Sequence, residues 1–269
     1  MDSIREKEGR ALFGLQPEHY ACARPDYPES IYSSLLEHNL LAPGYSVLEI
    51  GAGSGLATKR LLELGADPLT AVEPDCRFAE QLASLAASHE PKLRIVHQAF
   101  EDVELESGAF DLAVAATSFH WLAPEIRVHK LAEVIRPGGH AVLCWNVFQD
   151  PGREDPFHDA TMSLLANLAT SPSGAPGALP FALDRSEREA EFADTGKFKP
   201  VIYSEVHWTL VLNTKEVGLL YAGFSSIQRI EDQQRSAVIE ALMDVAASQF
   251  AGVVERYMTS PLYVFERLI

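Results

Sequence analysis

Three glycines and two acids in the first half of the sequence have the spacing of a nucleoside-binding site. Gly51, Gly53 and Gly55 follow the apolar run VLEI, Glu49 lies two residues before the first glycine, and Glu73 lies 22 residues after it. Glycines in a strand-to-helix turn let a ligand approach the backbone without a Cβ in the way. An acid that ends the second strand of such a unit can accept hydrogen bonds from ribose hydroxyls. Glu49 would repel a pyrophosphate and therefore indicates a cationic ligand.

The turn does not fit the two common phosphate-binding patterns. The dinucleotide fingerprint GxGxxG needs a third glycine where this chain has Leu56, and Thr58 and Lys59 are out of register for the GxxxxGK[ST] loop. A nicotinamide oxidoreductase is thus an alternative with evidence against it. A glycine-rich turn that only closes a connection is the second alternative.

Strand-like and helix-like stretches alternate around these residues. We predict strands at 47–50, 69–72, 93–97, 110–115 and 140–145, and helices at 56–64, 76–88 and 125–135. This alternation predicts a parallel sheet that is covered by helices on both faces. Farther along we predict helices at 157–168 and 184–193 on either side of the breaker-rich TSPSGAPGALP, a strand at 201–211, helices from 214 and 231, and a last strand in LYVFERLI.

The charge and the cysteine content indicate which partners and which cellular compartment to expect. The 22 Lys and Arg against 38 Asp and Glu give a formal charge of -16, which repels nucleic acid and anionic membrane surfaces. Three widely spaced cysteines without metal-ligand spacing indicate a reducing compartment. The charged start MDSIREKEGR differs from a signal peptide, and no 18-residue apolar run occurs. We expect a cytoplasmic protein that acts on a small molecule, with no nucleic-acid or membrane partner and an unknown oligomeric state.

Several motifs resemble those of one enzyme family. VLEIGAGSG, AVEPD, FDLAVAATSFHWL and EVIRPGGHAVL, with the N-terminal YACARPDYP, resemble the class I S-adenosylmethionine-dependent methyltransferases, in particular the small-molecule type 11 group. The resemblance is strong over residues 20–145 and elsewhere covers only the strand, helix and strand pattern. It implies an α/β fold: a Rossmann-like, seven-stranded, mostly parallel sheet with helices on both faces, an antiparallel last strand and a helical cap.

The pattern of elements along the chain also indicates a division of the chain. Residues 1–42 would form an N-terminal helical lid, 43–149 the S-adenosylmethionine-binding core, 150–198 an inserted helical cap, and 199–269 the completion of the sheet, within one structural domain. Because TSPSGAPGALP offers few side chains to pack, we expect residues 1–28 and about 170–196 to be mobile without ligand and to become protected together when ligand binds.

The resemblance assigns the cofactor to residues at the ends of the first strands. The methionine part would lie against Glu49 and the turn, and the ribose against Glu73, with Pro74 beside the adenine. The turn residues concerned are Gly51, Ala52, Gly53 and Gly55. Ala116 and Thr117 would offer carbonyl oxygens to the ammonium group.

Two contacts are less well defined by the sequence. The family often has an acid for the adenine amino group where this chain has Ala99 and Phe100. Either the Phe100 backbone and Glu101 replace that acid, or the amino group meets water. Arg24 or Tyr20 would close over the cofactor carboxylate, although Arg24 could instead pair with one of the many acids.

The reaction implied is an in-line methyl transfer without a metal ion. Such a displacement needs alignment of the acceptor and, for a hydroxyl or carbon acid, removal of its proton. His120, in SFHWL after the fourth strand, is the candidate general base; it could also fill the pocket wall, and His19 and Tyr20 are rivals. The alternatives are a cofactor-binding relative without methyl transfer and, less well supported, the nicotinamide oxidoreductase. The sequence leaves oxygen, nitrogen and carbon acceptors open.

Overall fold

The computed structural model of the protein describes residues 8, 12, 24–89, 92–174 and 179–269. The chain divides into two compact units. The sheet unit comprises Asp26–Trp145, Phe181–Val206 and Ser260–Ile269, and the helical unit comprises Met1–Pro25, Asn146–Pro180 and His207–Thr259. The four segments expected from the sequence stay a prediction. The expected concerted movement of residues 1–28 and 170–196 also stays a prediction, because most of residues 1–23 and residues 175–178 lie outside the described residues.

Seven strands form one sheet in the order β3-β2-β1-β4-β5-β7-β6. Strands β1 to β5 pair in parallel, whereas β7 pairs antiparallel with β5. The predicted mostly parallel sheet with an antiparallel last strand is therefore confirmed. The strands are β1 (Val47–Ile50), β2 (Leu69–Val72), β3 (Leu93–Val96), β4 (Phe110–Ala116), β5 (Ile135–Cys144), β6 (Phe198–Asn213) and β7 (Val253–Arg267).

The helices between the strands follow the predicted order. In the described residues they are α1 (Glu29–Glu37), α2 (Leu56–Glu63), α3 (Ala79–Ser88), α4 (Pro124–Val134), α5 (Pro156–Leu165), α6 (Arg185–Ala193), α7 (Thr214–Ala222), α8 (Ser225–Gln228) and α9 (Asp232–Gln249). Three short 3-10 helices, Cys76–Phe78, Phe119–Trp121 and Phe181–Leu183, accompany them. The second of these carries His120.

Two strands begin at least five residues earlier than the sequence predicts. β5 begins at Ile135, which pairs with Phe110 before an irregular register brings His140 opposite Leu112. β7 begins at Val253, although its first residues alternate between exposed and buried positions. Pairing with a neighbouring strand, which the local sequence does not reveal, sets both starts.

Strands β1 and β2 end side by side and so position the two acids of the site. Both strands are apolar at most positions and fully buried, and they pair in register from Val47 with Leu69 to Ile50 with Val72. The next residues, Gly51 and Glu73, therefore leave the same edge of the sheet. The Gly51 N–H donates to the Val72 carbonyl oxygen at 2.8 Å, which continues the pairing by one bond.

The helical unit has a core of its own, in which Phe157, Leu220 and Leu242 are buried around Tyr221. The buried Arg256 donates to the Asp155 carboxylate at 2.7 Å, to the Phe148 carbonyl oxygen at 3.1 Å and to the Tyr221 hydroxyl at 2.5 Å. A buried charge with partners of this kind is satisfied and serves the fold.

Among the helices of the described residues, none has both the length and the apolar composition needed to cross a bilayer.

Candidate functional site

The turn between β1 and α2 has a backbone that only glycine adopts readily. Gly51, Gly53 and Gly55 have φ angles of 73°, 53° and 85°. A Cβ on Gly51 would lie 2.5 Å from the Cβ of Ser118, whereas a Cβ on Gly53 would meet no atom within 4 Å. The first glycine is thus required by packing inside the protein. The second leaves space above the turn, where a ligand can approach the backbone.

The Glu73 carboxylate ties the turn to the end of β2. It accepts the Gly53 N–H at 2.7 Å through Oε2 and the Asp75 N–H at 2.8 Å through Oε1. The side chain is buried, so these charge-assisted bonds are made away from water. Glu73 therefore holds the backbone of the glycine turn in place.

Glu49 brings a second, more deeply buried carboxyl group to the same edge. It is 1% exposed, and its Oε2 has no hydrogen-bond partner among the described residues. Burial raises the pKa of Glu49 from 4.5 to about 7; Thr58 opposes this increase, and the charge of Glu73 adds to it. A buried carboxylate oxygen without a donor is costly, and a cationic ligand would remove that cost.

The exit of β4 forms the opposite side of the turn. Thr117 has a φ angle of 54°, an uncommon conformation for a β-branched residue, and such strain is concentrated at functional sites. Two bonds hold it: its N–H donates to the Cys144 carbonyl oxygen at 2.8 Å, and its Oγ1 lies 2.7 Å from the hydroxyl of Tyr27. The next residue, Ser118, donates its hydroxyl to the Ile50 carbonyl oxygen and so joins β4 to β1.

His120 is buried on the 3-10 helix that follows this exit. The indole N–H of Trp145 donates to His120 Nδ1 at 3.0 Å. The ring centroids of Trp121 and Phe181 lie 5.1 Å and 6.0 Å from that of His120. Aromatic neighbours thus enclose the imidazole, and its Nδ1 accepts a hydrogen bond.

The residues predicted at the adenine differ in exposure. Pro74 is exposed directly after Glu73, whereas Phe100 is 2% exposed. The Glu101 carboxylate accepts the Ala123 N–H at 2.8 Å, just before α4 begins. A contact of Phe100 or Glu101 with an adenine stays a prediction.

The two residues predicted to close over the cofactor carboxylate belong to the N-terminal region. Arg24, in the helical unit, donates to the Gly223 carbonyl oxygen at 3.2 Å, and its guanidinium lies 5.0 Å from the ring centre of Phe224. Tyr20 lies outside the described residues, as does its rival His19. Both assignments stay predictions.

The structure also brings residues to the site that the sequence did not single out. Tyr27 reaches Thr117, and Ser118 is the residue against which Gly51 is packed. Trp145 donates a hydrogen bond to His120, a contact that the sequence did not reveal. The stretch RPDYP contains Tyr27 and was a signal that could have found it; the other contacts cross between strands.

In residues 24–89, 92–174 and 179–269, with Glu8 and Leu12, no group of three or more His, Cys, Asp or Glu side chains is arranged to hold a metal ion. No metal ligands are therefore assigned among these residues.

The sheet order, the glycine turn and the acid after β2 define a Rossmann-like domain of the kind that binds nucleoside cofactors. Residues 47–139 match the family described as "Methyltransferase domain". The chain carries a class I S-adenosylmethionine-dependent methyltransferase domain, as the resemblance of its motifs implied.

Two relatives agree with this class. The chain is 34% identical over 134 residues to "Uncharacterized methyltransferase Rv3342" of Mycobacterium tuberculosis, which covers 50% of this chain and 51% of that protein. It is 25% identical over 231 residues to "Uncharacterized methyltransferase C25B8.09" of Schizosaccharomyces pombe, and this match covers 84% of this chain and 83% of that protein. The chain thus spans about half the length of the mycobacterial relative.

A solved structure agrees with the fold. The 4+2 cyclase SpnF superimposes with a TM-score of 0.61 at 13% identity, over 100% of this chain and 99% of that one. At this identity the likeness concerns the fold alone.

Proposed function

We propose that this chain is an S-adenosylmethionine-dependent methyltransferase that acts on a small-molecule acceptor without a metal ion. One observation carries the proposal: the buried Glu49 Oε2 has no hydrogen-bond donor among the described residues, at the edge of the sheet where the glycine turn leaves room for a ligand. An α-ammonium group could donate a hydrogen bond to this oxygen, and the negative charge of Glu49 would also favour a sulfonium.

The binding roles follow from the geometry of the turn. We assign the methionine part to Glu49, the backbone of Gly51 to Gly55, and the carbonyl oxygens of Ala116 and Thr117. We assign the ribose to Glu73, since a carboxylate has about four acceptor sites and can hold two backbone N–H groups while it also accepts hydroxyls. Bound S-adenosylmethionine would supply an electrophilic methyl group with a good leaving group.

The protein's own task is then to align the acceptor and keep water away. The buried aromatic residues around His120 suit an enclosed acceptor, and the formal charge of -16 supports a small molecule over a nucleic acid. No metal ligand is assigned because the described residues contain no suitable cluster.

Calorimetric titration tests the cofactor part of this proposal. We expect S-adenosylmethionine and S-adenosylhomocysteine to bind and reduced nicotinamide cofactors not to bind. Glu49→Gln should weaken binding, whereas Glu104→Gln, the same change at an exposed acid, should not. Binding of a nicotinamide cofactor instead would contradict the proposal.

Release of S-adenosylhomocysteine tests methyl transfer itself. The enzyme is incubated with S-adenosylmethionine and fractionated metabolites, and products are searched for a mass gain of one methylene. Tight cofactor binding without S-adenosylhomocysteine release from any fraction would favour the alternative of a cofactor-binding protein that does not transfer methyl.

A further inference from the structure

Thr117 bends the chain at the end of β4 in a conformation that its own side chain disfavours. Its φ angle is 54°, and a β-branched residue reaches this left-handed region only at a cost in free energy. Such a conformation persists when the surrounding structure holds it. Two hydrogen bonds of Thr117, one from its backbone and one with its side chain, can offset the cost.

The backbone bond of Thr117 sets the direction of the preceding carbonyl group. The Thr117 N–H donates to the Cys144 carbonyl oxygen at 2.8 Å, so it points toward β5. The peptide bond between Ala116 and Thr117 is trans, and in a trans peptide the carbonyl oxygen points opposite to the N–H. Because β4 lies between β5 and β1, the Ala116 carbonyl oxygen points to the side of β1. That side carries Glu49, which pairs with Val114 in the register of the two strands.

The side-chain bond of Thr117 comes from outside the sheet. Thr117 Oγ1 lies 2.7 Å from the hydroxyl oxygen of Tyr27, a half-buried residue in the segment that precedes α1. The ring of Tyr27 packs edge-to-face on the buried ring of Tyr32, with their centres 6.2 Å apart. This packing holds the Tyr27 hydroxyl in place, so the bond restrains the Thr117 side chain and, through its Cα, the backbone angle.

We propose that Tyr27 is a positioning residue of the cofactor site, which holds Thr117 in its left-handed conformation and so keeps the Ala116 carbonyl oxygen directed at the ammonium group of S-adenosylmethionine. The inference rests on the proposed function. The bend lies beside the glycine turn, because a Cβ on Gly51 would be 2.5 Å from that of Ser118, the next residue. Loss of the Tyr27 bond lets Thr117 relax toward an extended backbone and moves the bend away from the ligand.

The bond can be tested without any ligand, in a double-mutant cycle of Tyr27→Phe and Thr117→Val. Each change removes one hydroxyl group and keeps most of the shape of the side chain. We expect a lower midpoint of urea unfolding for either single variant. The double variant should unfold at no lower midpoint than the less stable single variant, because both changes break the same bond. Shifts of the midpoint that simply add would overturn the inference.

Thr117→Gly and Thr117→Val separate the backbone angle from the hydroxyl group. Both changes remove Oγ1, but glycine adopts the left-handed region freely, whereas valine is β-branched. In calorimetry with S-adenosylhomocysteine we expect Thr117→Val and Tyr27→Phe each to bind about fivefold more weakly than the wild type, the net effect of one hydrogen bond. Thr117→Gly should lose less affinity than Thr117→Val, and Tyr27→Phe should cause no further loss when it is added to Thr117→Gly. A loss in Thr117→Gly as large as in Thr117→Val would overturn the role of the backbone angle.

A shorter ligand shows which part of the cofactor depends on Tyr27. 5′-Methylthioadenosine has the adenosine and the sulfur of S-adenosylhomocysteine but lacks its ammonium and carboxylate groups. We expect Tyr27→Phe to weaken S-adenosylhomocysteine and to leave the affinity for 5′-methylthioadenosine unchanged. Tyr32→Phe, which removes a neighbouring hydroxyl that donates to Asp26 at 2.7 Å instead of contacting Thr117, should change neither affinity.

The outcomes distinguish the inference from the function on which it rests. An equal loss for both ligands in Tyr27→Phe would make Tyr27 a general support of the fold and would overturn its positioning role. No loss for either ligand would overturn it as well. If the wild type binds neither ligand, the proposed function fails together with the role at the cofactor, whereas the coupling of Tyr27 with Thr117 measured in urea is unaffected.

Discussion

The protonation state of the buried Glu49 has opposite effects on stability and on ligand binding: the folded protein is more stable when Glu49 is protonated, whereas a cationic ligand needs the ionised carboxylate. This difference allows a test of the site. Its pKa is raised from 4.5 to about 7, chiefly by loss of hydration. Between these pH values the folded protein holds a proton that the unfolded chain has lost. The stability that this proton contributes is therefore complete below about pH 4.5 and is lost as the pH rises through about 7. A shift of this size corresponds to about 3 kcal/mol.

Glu49→Gln removes the titration, so its free energy of unfolding, relative to the wild type, should rise by about 3 kcal/mol between about pH 4.5 and pH 8. Urea unfolding at a series of pH values, followed by tryptophan fluorescence without ligand, measures this difference, and an unchanged m-value shows that the denatured state is the same. Glu104→Gln, the exposed counterpart, should show no such trend with pH. If the difference for Glu49→Gln is also flat, the carboxyl is not an isolated buried acid and the reasoning fails.

The same proton should be released when a cationic ligand binds. At pH 7 about half of the Glu49 carboxyls are protonated, so binding of S-adenosylmethionine should release about half a proton. Calorimetry in two buffers of different ionisation enthalpy measures this number. Wild-type affinity should increase as the pH rises through 7, and Glu49→Gln should lose both effects. An affinity that is constant from about pH 6 to pH 8 would show that Glu49 does not meet the ligand's charge.

Three further variants test the turn. Glu73→Ala should weaken S-adenosylmethionine binding by about 1–3 kcal/mol, because it removes an acceptor for the ribose and the acceptor of the Gly53 N–H; an affinity within twofold of the wild type would exclude the ribose contact. Gly53→Val should abolish binding in calorimetry while circular dichroism shows a folded protein, since the space above this residue is empty; normal binding would mean that the turn is only a connection. Gly51→Ala should lower the urea midpoint more than Gly53→Ala does, because its Cβ would lie 2.5 Å from that of Ser118, and equal midpoints would contradict this packing.

The sequence predicted the sheet best where strands are buried on both faces. β1 and β2 are short apolar runs bounded by glycine, proline and acids, and both have the predicted bounds. The start of β5 could not be predicted, because Pro137, Gly138 and Gly139 are typical of a turn, and the pairing of Ile135 with Phe110 depends on the neighbouring strand. The early start of β7 was missed for the same reason.

The site could be predicted as far as it follows from strand ends. Glu49 lies within β1, the glycines follow β1 and Glu73 follows β2, and the structure brings these residues to one edge of the sheet. The left-handed conformation of Thr117 has no sequence signal, since β-branched residues favour extended backbone. The bond from Trp145 to His120 joins residues 25 positions apart and depends on the order of β4 and β5 in the sheet.

The position of β7 between β5 and β6 has a consequence for biosynthesis. β5 ends at Cys144 and its antiparallel neighbour begins at Val253, about a hundred residues later, so at 5–20 residues per second the ribosome needs roughly 5–20 s to supply it. During that time the nascent chain exposes a strand edge of buried apolar residues, Ala141 to Cys144, to any other strand nearby. A premature stop before Val253 would make this exposure permanent, and aggregation of the truncated chain is the outcome to expect in the cell.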